Sequence, residues 1–180
     1  GEAATIGDHR VEHPARLAKG GADLTVWNRT RAKAEPLAQY GAKVADKLAD
    51  LAACDIVFVM VSTWDDVKQV VAGPGGLLAG GNAPKLVVEC SSISLEGSAE
   101  LRALLAARGV ELLAAPVSGN AKVIKAGKLS FVCSGPRAAY SISGSRGLSG
   151  RSSADRPSTL GSIHMLCTKL ENMGSRWSRT

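Results

Sequence analysis

Apolar and polar positions along the chain form blocks that predict strands and helices in alternation. Residues 55–61 are the clearest block, because the apolar run after Asp55 has no polar face and predicts a strand buried on both sides. Shorter apolar runs predict further strands, and these cover residues 3–7, 24–27, 43–45, 85–90, 111–115 and 129–133.

Segments with helical spacing lie between these runs. The best defined begins after Ser94, a residue type that caps helices, and Gly109 ends it. Its Leu101, Leu104 and Leu105 lie on one face. Shorter helices are predicted over residues 14–19, 31–39, 47–53 and 65–71. This alternation predicts an α/β fold: a doubly wound, mostly parallel Rossmann-like sheet with helices on both faces.

Composition supports this fold class. The chain has 180 residues, of which 45% are hydrophobic and only 4% aromatic, so the core is predicted to consist of Ala, Val and Leu. Such a core favours helices packed closely on a parallel sheet over an aromatic-rich β-sandwich. No apolar run approaches the roughly 18 residues of a membrane span, and the first residues lack the pattern of a signal peptide.

The four cysteines are scattered and form no C-x-x-C pair. They are predicted to be buried, reduced thiols rather than a metal or disulfide site, which favours a cytoplasmic location. They are Cys54, Cys90, Cys133 and Cys167. His9 and His13 have the spacing of a metal pair, but no third ligand is evident, and no metal site is predicted.

Residues 141–180 differ from the rest of the chain. They contain ten serines, and apolar periodicity persists only around residues 163–170, so an irregular tail is predicted. From Pro136 onward, seven basic residues stand against two acidic ones, a net +5 of the chain's +6. A solvated end explains this charge. A nucleic-acid arm is the alternative, but no aromatic interleaving or binding motif supports it.

The end of the second predicted strand carries candidate cofactor chemistry. In a nucleotide-binding βαβ unit this position meets the adenosine ribose, and an acidic residue there binds a free 2′-hydroxyl. Here Asn28, Arg29 and Thr30 follow Gly7 by about twenty residues. The planar cation of Arg29 suits a 2′-phosphate, and the segment has no carboxylate that would repel the phosphate. The predicted cofactor is therefore NADP, with NAD as the alternative.

The loop that would bind the pyrophosphate departs from the G-x-G-x-x-G pattern. Only Gly7 is present, and His9 and Glu12 occupy the second and third glycine positions. The second glycine normally lets the backbone approach the pyrophosphate, and the third allows close packing of helix and strand. Taken alone, this loop does not predict nucleotide binding.

Five stretches follow one another in a recognisable order and spacing: residues 24–31, 55–61, 73–78, 88–94 and 115–127. Together they resemble the β-hydroxyacid dehydrogenase family, which includes 3-hydroxyisobutyrate, tartronate semialdehyde and 6-phosphogluconate dehydrogenases. The Ala-Pro-Val-Ser-Gly part of the last stretch is the most specific. The resemblance implies a dinucleotide-binding domain over residues 1–140. Residues 141–180 are then a Ser/Gly/Arg-rich tail or a remnant of the family's helical domain, apparently truncated.

The resemblance also implies roles for the matching positions, although turn and packing roles stay open. The implied cofactor-binding residues are Gly7, Asn28, Arg29, Thr30, Met60, Val61, Ser62 and Ser92. The implied substrate-binding residues are Ser118, Gly119 and Asn120. In the family a lysine polarises the substrate alcohol and a nearby asparagine supports the substrate. Lys169 and Asn172 match this pair, and a different alignment places His164 near the lysine position.

The implied function is hydride transfer between a small β-hydroxyacid and NADP or NAD. The alternative is a Rossmann-like binding or regulatory module that has lost turnover, which the altered loop at His9 and Glu12 favours. The expected partner is the small β-hydroxyacid, with homo-oligomerisation possible in the family. Neither a nucleic acid nor a membrane is expected as a partner.

Overall fold

The computed structural model describes residues 3–7, 23–118, 130–136, 151–152 and 165–167, with side chains described within 23–116 and 133–136. Its main sheet has six strands, all of whose pairings are parallel. They are β1 (Ala3–Gly7), β2 (Leu24–Trp27), β3 (Lys43–Val44), β4 (Ile56–Met60), β5 (Leu86–Glu89) and β6 (Glu111–Ala114). The strand order β3-β2-β1-β4-β5-β6 is that of a doubly wound nucleotide-binding sheet. The predicted fold class is confirmed.

Three α-helices and two 3₁₀ helices connect the strands in the described part of the chain. The α-helices are Arg31–Ala34, Trp64–Ala72 and Leu95–Ala106, and the 3₁₀ helices are Glu35–Tyr40 and Leu48–Ala53. The predicted single helix over 31–39 is wrong in type, because α-helix stops at Ala34 and 3₁₀ helix follows. Pro36 accounts for this change, since proline has no N–H to continue the α-helical ladder.

The helix Leu95–Ala106 begins and ends as predicted. The Ser94 hydroxyl accepts a hydrogen bond from the Gly97 N–H at 3.0 Å, which caps the first turn. Gly109 follows the helix with φ +69°, a left-handed conformation that glycine adopts without strain. Leu101 and Leu105 are fully buried on the predicted apolar face.

The core consists of aliphatic side chains, as the composition predicts. The larger cluster includes Val57 and Val87 from the central strands, packed with Leu101 and Leu105 of the helix. A smaller cluster around Leu24 lies under the segment that follows β2. Three of the four cysteines, Cys54, Cys90 and Cys133, are buried thiols, as predicted.

A second, antiparallel sheet joins the end of the main sheet. Its strands are β7 (Val117–Ser118), β8 (Ser130–Cys133), β9 (Arg151–Ser152) and β10 (Met165–Cys167), in the order β7-β8-β10-β9. An antiparallel bridge between Ala114 and Ser134 connects it to β6. The apolar pattern of the sequence predicts no strand at β9 or β10. In the part of the chain that the structure describes, no helix has the length and apolarity that a membrane crossing requires.

Candidate cofactor cleft

The strand ends that bear the predicted cofactor residues lie side by side. In the register of the main sheet, Ile6 pairs with Trp27, and Gly7 pairs with Met60. The ends of β2 and β4 therefore flank the end of β1, where the strand order changes direction. In open α/β sheets, ligands bind in the crevice outside the strand ends at this switch point.

A cleft of about 510 Å³ opens at this edge. The segments after β2, β3 and β4 line it, as do one face of the helix Trp64–Ala72 and the turn that follows that helix at Pro74 and Gly75. The volume lies within the roughly 300–1,000 Å³ of small-molecule and cofactor pockets. The cleft contains five of the predicted cofactor residues, which are Asn28, Arg29, Thr30, Val61 and Ser62.

The segment after β2 is held by its own asparagine. The Asn28 side-chain oxygen accepts a hydrogen bond from the Thr30 N–H at 2.8 Å, an Asx turn that fixes the backbone. Thr30 then stands in extended conformation just before the helix Arg31–Ala34. Arg29 lies within this turn, and its side chain is 82% exposed.

A carboxylate lies beside Arg29, contrary to the expectation drawn from the local segment alone. The Asp66 Oδ1 atom is 3.7 Å from a terminal nitrogen of the Arg29 guanidinium. Asp66 belongs to the helix Trp64–Ala72, whose N-cap Thr63 donates both its backbone N–H and its hydroxyl to the Asp66 Oδ2 atom. The cleft therefore combines a cation with a fixed anion.

Of the two basic side chains that follow Arg29, Lys33 lines the cleft and Arg31 does not. Lys33 lines the cleft with Arg29, although no motif in the sequence indicated it; the available signal was its place in the first turn of the helix after β2. Arg31 is not among the lining residues; its guanidinium bonds to Glu35 and to Asp46, and Asp46 itself lines the cleft. The hydrogen bond to Asp46 raises the pKa of Arg31 above its usual value. Arg29 and Lys33 are thus the cleft cations of this segment.

A buried glutamate, which no sequence motif indicated, connects the loops after β4 and β5. Glu89 is only 1% exposed, and its Oε1 accepts a hydrogen bond from the Ser91 N–H at 2.6 Å. The Ser91 hydroxyl accepts from the Val61 N–H at 2.9 Å. Since Val61 lines the cleft, this chain of hydrogen bonds positions one wall. Burial raises the pKa of Glu89, against the opposing effect of the Ser91 hydrogen bonds.

Replacing Glu89 with Gln tests this network through its pH dependence. A raised pKa contributes stability below the ordinary glutamate pKa, and that contribution is lost as pH rises through the raised pKa. Between the ordinary glutamate pKa and the raised pKa of Glu89, the free energy of unfolding of the unmodified protein should therefore fall as pH rises. For Glu89→Gln, whose amide oxygen still accepts a hydrogen bond from Ser91, it should change less with pH. Urea unfolding across pH measures it, with exposed Glu100→Gln as the control. Identical pH profiles for Glu89→Gln and the unmodified protein would show that Glu89 titrates normally.

The remaining predicted positions are placed as follows. Gly7 ends β1 at the cleft edge. Met60 ends β4 there without being among the lining residues, and Ser92 is exposed on the loop after β5. Ser118 belongs to β7, and its side chain is not described. The other predicted positions lie outside the described residues; they are His9, Glu12, His13, Gly119, Asn120, His164, Lys169 and Asn172. Among the described side chains, no three His, Cys, Asp or Glu residues are grouped to hold a metal ion.

Known proteins share both the sequence pattern and the fold. The chain is 36% identical to the cytokine-like nuclear factor N-PAC of Bos taurus over 127 residues, which cover 70% of this chain and 23% of N-PAC. It is 34% identical to the chloroplastic glyoxylate/succinic semialdehyde reductase 2 of Arabidopsis thaliana, covering 69% of this chain and 35% of the reductase. The chain thus spans about a quarter to a third of these relatives.

Solved structures match over a longer part of the chain. Psf3 in complex with NADP⁺ and 2-OPP superimposes with a TM-score of 0.71 at 31% identity, over 78% of this chain and 51% of Psf3. The 3-hydroxyisobutyrate dehydrogenase of Mycobacterium tuberculosis superimposes with a TM-score of 0.67 over 79% of this chain and 49% of the enzyme. Its 23% identity shows the shared fold alone.

The family assignment rests on a match that spans most of the chain. The family model of the NAD-binding domain of 6-phosphogluconate dehydrogenase matches residues 14–144. This range includes the cleft segments after β2, β3 and β4, and it confirms the resemblance stated from the motifs. The chain therefore belongs to the family of the 6-phosphogluconate dehydrogenase NAD-binding domain, an NAD(P)-binding domain of the hydroxyacid dehydrogenases.

Proposed function

We propose that the cleft binds the adenosine end of NADP(H) and that the protein is an oxidoreductase acting on a small β-hydroxyacid. The observation that carries this proposal is the exposed Arg29 guanidinium, which stands at the switch-point cleft on a turn fixed by Asn28. Guanidinium groups bind phosphate oxygens through pairs of charge-assisted hydrogen bonds. The 2′-phosphate is the part of NADP(H) that such a cation selects.

The surrounding groups suit the same ligand. Lys33 and Lys47 add further positive charge, and the hydroxyls of Thr30 and Ser62 line the cleft as further hydrogen-bond partners. Similarity to Psf3, solved with NADP⁺, supports an NADP-type ligand. NAD stays the alternative, since an imine reductase variant of the same fold was solved with NAD⁺.

The chemistry at the other end of the cofactor follows from the family resemblance. When bound, the nicotinamide would supply the hydride acceptor or donor. Ser92, Gly7 and Met60 remain proposed cofactor contacts. The proposed substrate loop is Ser118, Gly119 and Asn120, and the proposed catalytic pair is Lys169 with Asn172. The proposed cofactor domain spans residues 1–140, and the family match to residue 144 supports that boundary.

Titration of the protein with NADPH and with NADH tests the proposal. Trp27 lines the cleft and is partly buried, so its fluorescence should change on binding. Both nucleotides should produce saturable changes, NADPH at lower concentration, and Trp27→Phe should remove most of the signal. The absence of a saturable change for both nucleotides would refute cofactor binding by this chain.

A binding or regulatory module is the second candidate function. The similarity to N-PAC favours it, because that relative is named as a nuclear factor rather than an oxidoreductase. The two candidates differ in turnover. An enzyme should reduce NADP⁺ when small β-hydroxyacids such as 3-hydroxyisobutyrate are added, whereas a module should bind the nucleotide and leave it unchanged.

A further inference from the structure

Asp66 is the one carboxylate that the structure places against the Arg29 guanidinium among the described residues, and no sequence motif pointed to it. We infer that Asp66 is a specificity-determining residue that limits the preference of the cleft for NADPH over NADH. This inference rests on the proposed function, because it concerns the same 2′-phosphate position. Arg29 attracts the phosphate, and the fixed charge of Asp66 opposes it.

The hydrogen bonds of Asp66 fix its direction. Its Oδ2 atom is 2.8 Å from the Thr63 hydroxyl and 3.2 Å from the Thr63 N–H, and the Thr63 hydroxyl accepts from the Asp66 N–H at 3.1 Å. This reciprocal capping box ties the side chain to the start of the helix Trp64–Ala72. The other oxygen, Oδ1, is the one that faces Arg29. The carboxylate therefore cannot swing away when an anion arrives without breaking the cap.

The distances bring a bound phosphate within reach of this charge. Asp66 Oδ1 lies 3.7 Å from the Arg29 nitrogen, and a phosphate oxygen on the guanidinium would lie about 2.9 Å from its donor nitrogen. With the phosphate oxygen on that same nitrogen, the phosphate oxygen and the carboxylate oxygen would be roughly 7 Å apart at most. Between a dianion and a monoanion in water, that separation lowers affinity roughly fivefold at low ionic strength and roughly twofold at physiological salt.

The effect should be confined to the phosphorylated cofactor. NADH has a neutral 2′-hydroxyl at this position. Both the attraction by Arg29 and the repulsion by Asp66 are therefore weaker for NADH than for NADPH. The Arg29–Asp66 pair itself contributes little to stability, because the arginine is 82% exposed and water screens the pair. Selectivity is thus the property that Asp66 should change most.

The experiment compares Asp66→Asn with Asp65→Asn in the full chain, by titration with NADPH and NADH at low and physiological salt. Both variants remove one negative charge from the first turn of the same helix. Asp65 pairs with Lys68 and does not line the cleft, so it is the matched control. In Asp66→Asn, the new amide oxygen can still accept from Thr63. Asp66→Ser is a second neutral variant that can accept a hydrogen bond from Thr63. A result shared by both Asp66 variants is then due to the lost charge rather than to a lost helix cap.

Asp66→Asn and Asp66→Ser should raise the affinity for NADPH about fivefold at low salt and less at physiological salt. The affinity of these variants for NADH should change by less than about twofold. Asp65→Asn should change neither affinity. Equal effects of Asp66→Asn and Asp65→Asn, or weaker NADPH binding by both Asp66 variants, would overturn the inference while leaving the proposed function intact. If the unmodified chain binds neither nucleotide, the proposed function and this inference are both overturned.

Discussion

Replacing Arg29 with Glu should weaken NADPH binding about a hundredfold and change NADH affinity by less than about threefold. A hydrogen bond to a charged group contributes about 1.5–3 kcal/mol, and the new carboxylate adds repulsion of the phosphate. Since each 1.4 kcal/mol is a factor of about ten in affinity, a loss of about 2.7 kcal/mol corresponds to the hundredfold change. Equilibrium titration of each nucleotide measures it.

The structure separates this effect from a loss of folding. Because the Arg29 side chain is 82% exposed, its replacement removes no core packing, and the melting temperature should change little. Arg102→Glu is the control, since it makes the same charge reversal on the helix Leu95–Ala106, away from the residues that line the cleft. An equal loss of NADPH and NADH affinity in Arg29→Glu would remove Arg29 from the 2′-phosphate site.

Replacing Gly73 with Ala should lower the free energy of unfolding by about 2–4 kcal/mol. A Cβ at this position would lie 2.5 Å from the Gln69 carbonyl oxygen and 3.1 Å from the Gln69 carbonyl carbon and Cα. These are backbone atoms of the helix Trp64–Ala72, so no side-chain rotation can relieve the contact. The Gly73 N–H also ends this helix by donating to the Lys68 and Gln69 carbonyls.

Gly80→Ala is the control for this loop. A Cβ on Gly80 meets nothing within 4 Å, and its substitution should change the free energy of unfolding by less than about 0.5 kcal/mol. Urea unfolding of both variants makes the comparison. Equal stability of Gly73→Ala and Gly80→Ala would mean that the turn does not approach the helix as closely as described. Because Pro74 and Gly75 line the cleft, Gly73→Ala should also weaken cofactor binding.

The strands of the main sheet were predictable because strands buried on both faces appear in the sequence as apolar runs. β4 and β5 are buried on both faces, so their residues form nearly unbroken apolar runs. The segment after β2 was less predictable: its apolar positions have helical spacing, but Pro36 changes the helix type within it. The short strands β9 and β10 were missed because their pairing depends on β8, which is distant in sequence.

The candidate site was predictable only where its geometry is local. Asn28 and Arg29 follow a strand directly, and their position relative to the sheet edge follows from the strand itself. Asp66 was missed because its closeness to Arg29 depends on how two separate loops meet at the switch point. Glu89 was missed because a glutamate at a strand end is usually exposed, whereas here hydrogen bonds to Ser91 accompany its burial.

The most direct measurement of the central claim is an NMR titration of the ¹⁵N-labelled chain with NADPH. If the cleft binds the cofactor, saturable amide shift changes should be concentrated at residues 28–33, at Val61 and Ser62 and at the start of the helix Trp64–Ala72, with smaller changes for NADH near Arg29. Saturable changes centred on the helix Leu95–Ala106, or no saturable change at all, would contradict the assignment of this cleft as the cofactor site.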